Sequence, residues 1–136
     1  MKLSTRTRYG VRAILELAKN YGKGPLQLKT IAEHQDISVK YLEQMMAVLK
    51  STGMVRSVRG PSGGYVLAKK PSEIKLSDCF ICLEGPVVTT ECVDDCNLCS
   101  RAKQCITRDL WAEVQGAVMT VLQSKTLQNL IDIPMA

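Results

Sequence analysis

Residues 38–67 read SVKYLEQMMAVLKSTGMVRSVRGPSGGYVL, and their hydrophobic period changes once along this stretch. Its first half predicts a helix, because Ser38 is a good N-cap, Gly53 is a good stop, and apolar residues recur between them at helical spacing. Its second half predicts a β-hairpin, since alternating residues 55–58 and 65–67 flank a turn rich in Gly and Pro. The predicted core residues of the helix are Leu42, Met45, Met46 and Leu49.

Two further helices are predicted upstream of this stretch. Apolar residues between Thr5 and Tyr21 follow the spacing i, i+3, i+4, i+7, and a short helix follows at Leu28–His34. Gln35-Asp36-Ile37 forms a tight turn into the next helix. Helix, short turn, helix and hairpin is the order of a winged helix-turn-helix. We therefore predict a mainly α fold with a DNA-binding domain at residues 1–75.

The second helix of such a pair fits the major groove, where hydroxyl, carboxylate and amide groups can pair with base edges. An arginine at the hairpin tip can enter the minor groove, whose negative potential attracts a guanidinium. Three helices and a hairpin could also form a protein-binding or purely structural module. We favour DNA binding, and the predicted contact residues are Ser38, Lys40, Tyr41, Glu43, Gln44, Arg59, Gly60 and Arg8.

The charge of the chain is unevenly divided, although its net value over 136 residues is only +5. Residues 1–75 hold 14 Lys and Arg against 5 Asp and Glu, whereas residues 76–136 hold 4 against 8. This division indicates a polyanionic partner, such as duplex DNA, for the first half only. No apolar run approaches the roughly 18–20 residues that span a bilayer. Since the N-terminus also lacks a secretory signal, we expect a cytoplasmic protein with no membrane partner.

Three segments of this chain resemble the signature of the Rrf2 superfamily of winged-helix transcription regulators. They are Tyr41-Leu42-Glu43-Gln44, Gly53-Met54-Val55 and Ser57-Val58-Arg59-Gly60-Pro61-Ser62-Gly63-Gly64-Tyr65. The resemblance covers nearly the whole chain and is closest to the iron–sulfur cluster regulators of the IscR type. It implies a homodimer that reads partly palindromic operators, as a repressor of cluster-biogenesis or related genes. It also implies that Glu43, Gln44 and Arg59 contact DNA.

All six cysteines lie between Cys79 and Cys105, and the last four form the pattern C-x3-C-x2-C-x5-C. Thiolates bind both iron–sulfur clusters and Zn²⁺, and this spacing alone leaves the two equally open. A redox disulfide between Cys96 and Cys99 is a third alternative. The family resemblance favours an iron–sulfur cluster and implies Cys92, Cys99 and Cys105 as ligands.

The predicted ligand set departs from the IscR pattern at one position. The histidine that completes that site falls at Arg108, and a guanidinium stays protonated and cannot bind a metal. We therefore predict Cys96 as the fourth ligand. An all-cysteine set suits a 2Fe–2S or a 4Fe–4S cluster, and we expect 2Fe–2S, with Zn²⁺ as the alternative. Cys79 and Cys82 lie among apolar residues on a short helix that Ser77 is expected to cap, so they are expected in the core.

A long helix is predicted at residues 107–124, followed by a short one near Thr126–Ile131. The rest of the chain is too small to cover the apolar stripe of this long helix. We therefore expect a dimerisation helix, in a second unit at residues 76–136. We expect no enzyme, because no histidine lies near a nucleophile. A zinc-stapled regulator without sensing and a small cysteine-based redox protein remain as alternatives. The stripe consists of Leu110, Trp111, Val114, Val118, Val121 and Leu122.

Overall fold

The computed structural model describes residues 2–134, which form seven α-helices and one antiparallel pair of strands. This arrangement confirms the predicted mainly α fold with a β-hairpin. In the described part of the chain, no helix combines the length and apolarity that crossing a bilayer requires. The elements are α1 Thr5–Lys19, α2 Leu28–Gln35, α3 Val39–Ser51, β1 Val55–Val58, β2 Gly64–Leu67, α4 Leu76–Glu84, α5 Glu91–Asp94, α6 Ile106–Ser124 and α7 Leu127–Ile131.

A tight turn joins α2 to α3, as the sequence predicts. Asp36 adopts a left-handed conformation with φ 53°, and the buried side chain of Ile37 follows it into the core. The Ser38 hydroxyl then accepts a hydrogen bond of 3.2 Å from the backbone N–H of Tyr41. This bond satisfies one of the free donors at the start of a helix and fixes where α3 begins.

The hairpin of β1 and β2, which we call the wing, is joined to the start of the helix pair. Val58 pairs with Gly64, and a turn bond of 2.9 Å runs from Gly63 N–H to the Gly60 carbonyl. Behind this turn, Tyr65 and Leu26 exchange two backbone hydrogen bonds of 2.9 Å. The segment before α2 therefore extends the wing, so the wing and the helix pair form one unit.

One hydrophobic core crosses the boundary predicted between residues 75 and 76. Leu83 of α4 and Leu127 of α7 are fully buried with the helices of the N-terminal half. Gly10 of α1 lies so close to Leu83 that a Cβ atom there would approach its Cδ1 to 2.6 Å. The fully buried large residues are Ile14, Leu17, Ile31, Leu42, Met45, Met46, Leu49, Val55, Leu83 and Leu127.

The start of α4 differs from the prediction that Ser77 caps this helix. Lys75 is the N-cap residue, and Ser77 lies buried inside the first turn. The backbone decides the start, because Leu76 N–H donates to the Lys125 carbonyl and Leu127 N–H donates to the Ile74 carbonyl. The partners of these two bonds are 49 and 53 residues apart in the sequence, so local cap preferences do not reveal them.

The end of α4 is fastened to the beginning of α1 by Glu84. Its carboxylate accepts hydrogen bonds from the Ser4 hydroxyl at 2.6 Å, from the Ser4 N–H at 3.2 Å and from the Thr7 hydroxyl. The Ser4 hydroxyl in turn caps α1. The pKa of Glu84 lies below its ordinary value, first because the Ser4 hydroxyl donates to the charged form and then because Thr7 does so.

We expect Glu84→Gln to lower the free energy of unfolding by about 1 kcal/mol at pH 7, a modest value because the group is partly solvated. A carboxyl with a lowered folded pKa stabilises the fold above its unfolded pKa and loses this effect as the pH falls through the folded pKa. The deficit should therefore shrink below about pH 4. Urea unfolding at pH 7 and pH 3 measures it, with Glu113→Gln, an exposed position on α6, as the control. An equal deficit at both pH values would contradict this assignment.

Candidate DNA interface and cysteine segment

The exposed N-terminal face of α3 presents most of its predicted DNA contacts to solvent. Lys40, Glu43 and Gln44 are all exposed. Tyr41 is half-buried, with its ring 6.2 Å from that of Tyr9 in an edge-to-face arrangement at 82°. Lys40, Glu43 and Gln44 are therefore free to reach a groove, whereas Tyr41 also fixes α3 against α1.

The arginines of α1 divide into two kinds. Arg12 donates to the Gln35 side chain at 2.8 Å and to its carbonyl at 2.6 Å, and Arg6 donates to the Leu83 carbonyl at 2.9 Å. These two tie α1 to α2 and α4. Arg8 is exposed, stacks 5.9 Å from the centre of the Tyr9 ring, and makes no side-chain hydrogen bond within residues 2–134. Arg8 is thus the α1 arginine available to a phosphate.

The wing tip exposes Arg59 and Gly60, as predicted. Its shape depends on Gly63, where a Cβ atom would lie 2.1 Å from the Val58 carbonyl oxygen. Backbone cannot yield as a flexible side chain can, so only glycine fits this turn. The Gly- and Pro-rich turn predicted from the sequence includes Gly63, but the sequence alone does not identify it as the residue that fixes the tip.

The four cysteines at 92–105 lie in what we call the cysteine segment, residues 89–105, between α4 and α6. Cys92 and Cys105 are half-buried, Cys96 and Cys99 are exposed, and all four thiols are free. Four free thiols without a disulfide are a donor set that suits an iron–sulfur cluster or Zn²⁺. Across residues 2–134, however, no three His, Cys, Asp or Glu side chains come close enough to hold one metal ion.

The other two cysteines are packed as predicted. Cys79 is fully buried, and its burial raises the pKa of the thiol to about 12. Cys82 is half-buried, with its sulfur 3.3 Å from the Thr52 hydroxyl. In contrast, the pKa of Cys105 is lowered, first by the hydrogen bond from the Thr107 hydroxyl at 3.1 Å and then by the Arg108 backbone N–H. A lowered pKa increases the fraction of thiolate, which is the form that binds a metal.

Three residues that sequence reasoning left without a role fasten the cysteine segment to α6. Arg108 donates to the carbonyls of Cys92 at 2.7 Å and Val93 at 3.4 Å. Gln115 accepts from the Thr89 N–H and donates to the Asp94 carboxylate, both at 3.1 Å. The Thr89 hydroxyl completes this set with a bond to the Trp111 carbonyl. No local sequence signal could identify these residues, since their partners lie 15–26 positions away.

The capped helix pair, the exposed polar face of α3 and the basic wing define a winged helix-turn-helix protein of the DNA-binding class. Residues 3–133 match the family Rrf2, described as "Iron-dependent Transcriptional regulator". The chain belongs to this family of transcriptional regulators, which confirms the predicted membership.

The relatives include regulators of two kinds. The HTH-type transcriptional regulator CymR of Bacillus subtilis is 42% identical over 130 residues, which are 96% of this chain and 89% of the relative. A solved structure of this global cysteine regulator has a TM-score of 0.82 and 42% identity, with 96% of this chain and 95% of that chain covered. The structure of T. potens IscR has a TM-score of 0.80 and 37% identity, covering 100% and 94%. The comparisons therefore show the family and the winged helix-turn-helix fold of this chain.

Proposed function

We propose that this regulator senses an iron–sulfur cluster held by Cys92, Cys96, Cys99 and Cys105, and that the cluster sets its affinity for a duplex operator. The observation that carries this proposal is the presence of four free thiols within 14 residues of one largely exposed segment. Exposed thiols have no packing reason to gather there. A bound cluster supplies a redox-active centre whose reduction potential depends on its type, its net charge and its exposure to solvent.

The four sulfurs have to converge for this purpose, and the segment has the freedom to bring them together. Cys96 and Cys99 lie in an exposed stretch without regular secondary structure, between the four-residue helix α5 and a short 3-10 helix at Ala102–Gln104 that precedes α6. Cys92 and Cys105 are the more anchored pair, because both are half-buried near the first turn of α6. We infer that the loaded form closes the exposed half of the segment onto this anchored half.

A change in the cysteine segment can reach the DNA-binding surface through α4 and α6. Thr89, at one end of the segment, is bonded to α6 through Gln115 and Trp111. Five residues before it, Glu84 ends α4 and holds the N-terminus of α1. Closure or opening of the segment therefore acts on α1 through α4, and on the partner subunit through α6.

The absorbance of protein purified without oxygen tests the cluster proposal. An iron–sulfur protein is coloured and contains iron and acid-labile sulfide, and Mössbauer spectra distinguish 2Fe–2S, which we favour, from 4Fe–4S. A colourless protein that contains stoichiometric zinc would support a zinc-stapled regulator instead. A protein with neither iron nor zinc, active in thiol exchange through Cys96 and Cys99, would contradict both.

We further propose that α6 pairs with α6 of a second copy to make the homodimer that a two-fold operator requires. None of its 19 residues is buried, although α4 packs against part of it. Large apolar side chains lie exposed along the rest, with Ile106 at 87% and Val121 at 54% of full exposure. An apolar stripe of this kind is what a coiled-coil-like seam buries. The other exposed members are Leu110, Trp111 and Val114.

We expect Val121→Glu to raise the dimer dissociation constant by about 100-fold or more, because the seam would have to bury an unpaired carboxylate. Light scattering across a concentration series measures this change. Gln123→Glu, at an exposed position two residues along α6, adds the same charge and is the matched control. A dimer equally stable in both variants would place the interface elsewhere.

A further inference from the structure

We propose that Arg108 is the positioning residue of the cysteine segment: it holds Cys92 against the first turn of α6 instead of supplying a ligand. The part of this inference that concerns the cluster rests on the proposed function. In the resemblance to IscR-type regulators this position belongs to a ligand, and a guanidinium cannot take that role. The structure assigns it a different one.

The contacts of Arg108 explain how α5 is held in place. This helix has only four residues, Glu91–Asp94, so most of its carbonyl groups have no partner within the helix. The guanidinium of Arg108 donates through Nε to the Cys92 carbonyl at 2.7 Å and through Nη2 to the Val93 carbonyl at 3.4 Å. One side chain thus satisfies two carbonyls of a helix that is too short to be stable by itself.

An arginine suits this position better than a lysine does. Its planar fork can donate to two neighbouring carbonyls at once, whereas an ammonium is a single point charge on a flexible stem. The Arg108 side chain also places a fixed positive charge beside Cys92. The helix that contains Cys92, α5, carries the acidic residues Glu91 and Asp94. A cluster bound by four thiolates adds further negative charge, so this cation favours the loaded segment.

Gln115 supplies a second attachment on the same face of α6. It lies seven residues after Arg108, which is two turns of an α-helix, and it donates to the Asp94 carboxylate. Arg108 and Gln115 therefore hold α5 at two points along α6. Because Cys105 directly precedes α6, Arg108 fixes the relative position of Cys92 and Cys105, the two anchored thiols.

The test compares Arg108→Gln with Arg108→Lys and with Arg101→Gln. Arg101 is exposed in the same segment and makes no side-chain hydrogen bond in the described part of the chain, so its replacement removes the same charge without removing these contacts. The first readout uses cluster-free, reduced protein and follows iodoacetamide alkylation of each cysteine by mass spectrometry. Buried Cys79 is the internal reference for global unfolding.

We expect Arg108→Gln to accelerate alkylation of Cys92 roughly fivefold, the change in local opening that loss of one or two hydrogen bonds brings. Alkylation of Cys96 and Cys79 should not change, and Arg101→Gln should match the wild type. Arg108→Lys should accelerate Cys92 nearly as much, since lysine lacks the fork. Equal Cys92 rates in Arg108→Gln and Arg101→Gln would overturn the positioning role.

The second readout uses protein reconstituted with iron and sulfide. We expect Arg108→Gln to keep the shape of the visible spectrum, since no ligand is lost, but to retain less iron under EDTA challenge and to have a lower reduction potential. Arg108→Lys should restore the reduction potential, because it keeps the positive charge. It should not restore the retention of iron, because lysine lacks the planar fork. Equal iron retention in Arg108→Gln and Arg101→Gln would overturn the link between Arg108 and the cluster. A wild type that takes up no iron would contradict the proposed function, and alkylation of Cys92 would still decide the role of Arg108.

Discussion

Cys99→Ala is expected to abolish the visible absorbance and the bound iron of protein purified without oxygen. Cys99 is an exposed member of the predicted ligand set, and residues 89–105 contain no fifth thiol that could replace it. The matched control is Cys82→Ala, which removes a thiol from α4 that contacts Thr52 in the fold. Iron analysis and absorbance measure both variants.

Loss of iron in both variants, or in neither, would contradict the assignment of ligands to the cysteine segment. Cys96→Ala adds a finer test, because Cys96 is the predicted fourth ligand in place of the histidine of the IscR pattern. Iron loss as complete as in Cys99→Ala supports a four-cysteine site. Full iron retention would show that the fourth ligand is another group.

Gly63→Ala is expected to weaken binding to the operator by about 100-fold while the dimer and the cluster remain intact. The added Cβ atom would lie 2.1 Å from the Val58 carbonyl oxygen and 2.9 Å from that of Gly60, so the tip has to change shape. The predicted entry of Arg59 into the minor groove would then be lost, and a 100-fold weakening corresponds to about 3 kcal/mol of binding free energy. Fluorescence anisotropy at fixed salt concentration measures this loss.

Ser62→Ala, at the exposed neighbouring position, is the matched control and should leave affinity within about twofold, since a surface change of this kind is nearly neutral. The operator affinity of Arg59→Ala should lie between those of Gly63→Ala and Ser62→Ala, because this substitution removes one predicted contact and keeps the shape of the tip. Unchanged affinity in Gly63→Ala would mean that the wing does not contact the operator.

The DNA-binding half could be predicted from the sequence because its signals are local. The apolar spacing behind Ser38 and the glycine-rich turn between two alternating runs each depend on a few neighbouring residues, and the structure places both elements there. The long helix also agrees, with Ile106–Ser124 observed against a prediction of residues 107–124. A strong apolar period locates a helix in the sequence, although its first and last residues remain uncertain by about one or two positions.

The parts that could not be predicted depend on contacts between distant residues. Glu84 meets Ser4 across 80 positions, and the Lys75 start of α4 depends on a backbone bond to Lys125. The helix α5 escaped prediction because four residues are too few to show a period. The sequence shows that four thiols lie close together along the chain, but their positions in the fold, and the contacts of Arg108 beside them, could not be predicted from it.

The most direct test measures the affinity of cluster-loaded and cluster-free protein for the same duplex, without oxygen and at one salt concentration. The duplexes are selected from a random library, once with the cluster-loaded protein and once with the cluster-free protein, and the tightest-binding sequence from each selection is used. We expect the affinities of the two forms to differ by at least about tenfold, which is a typical coupling between two sites. Equal affinities of both forms for every selected sequence would contradict a cluster-controlled regulator.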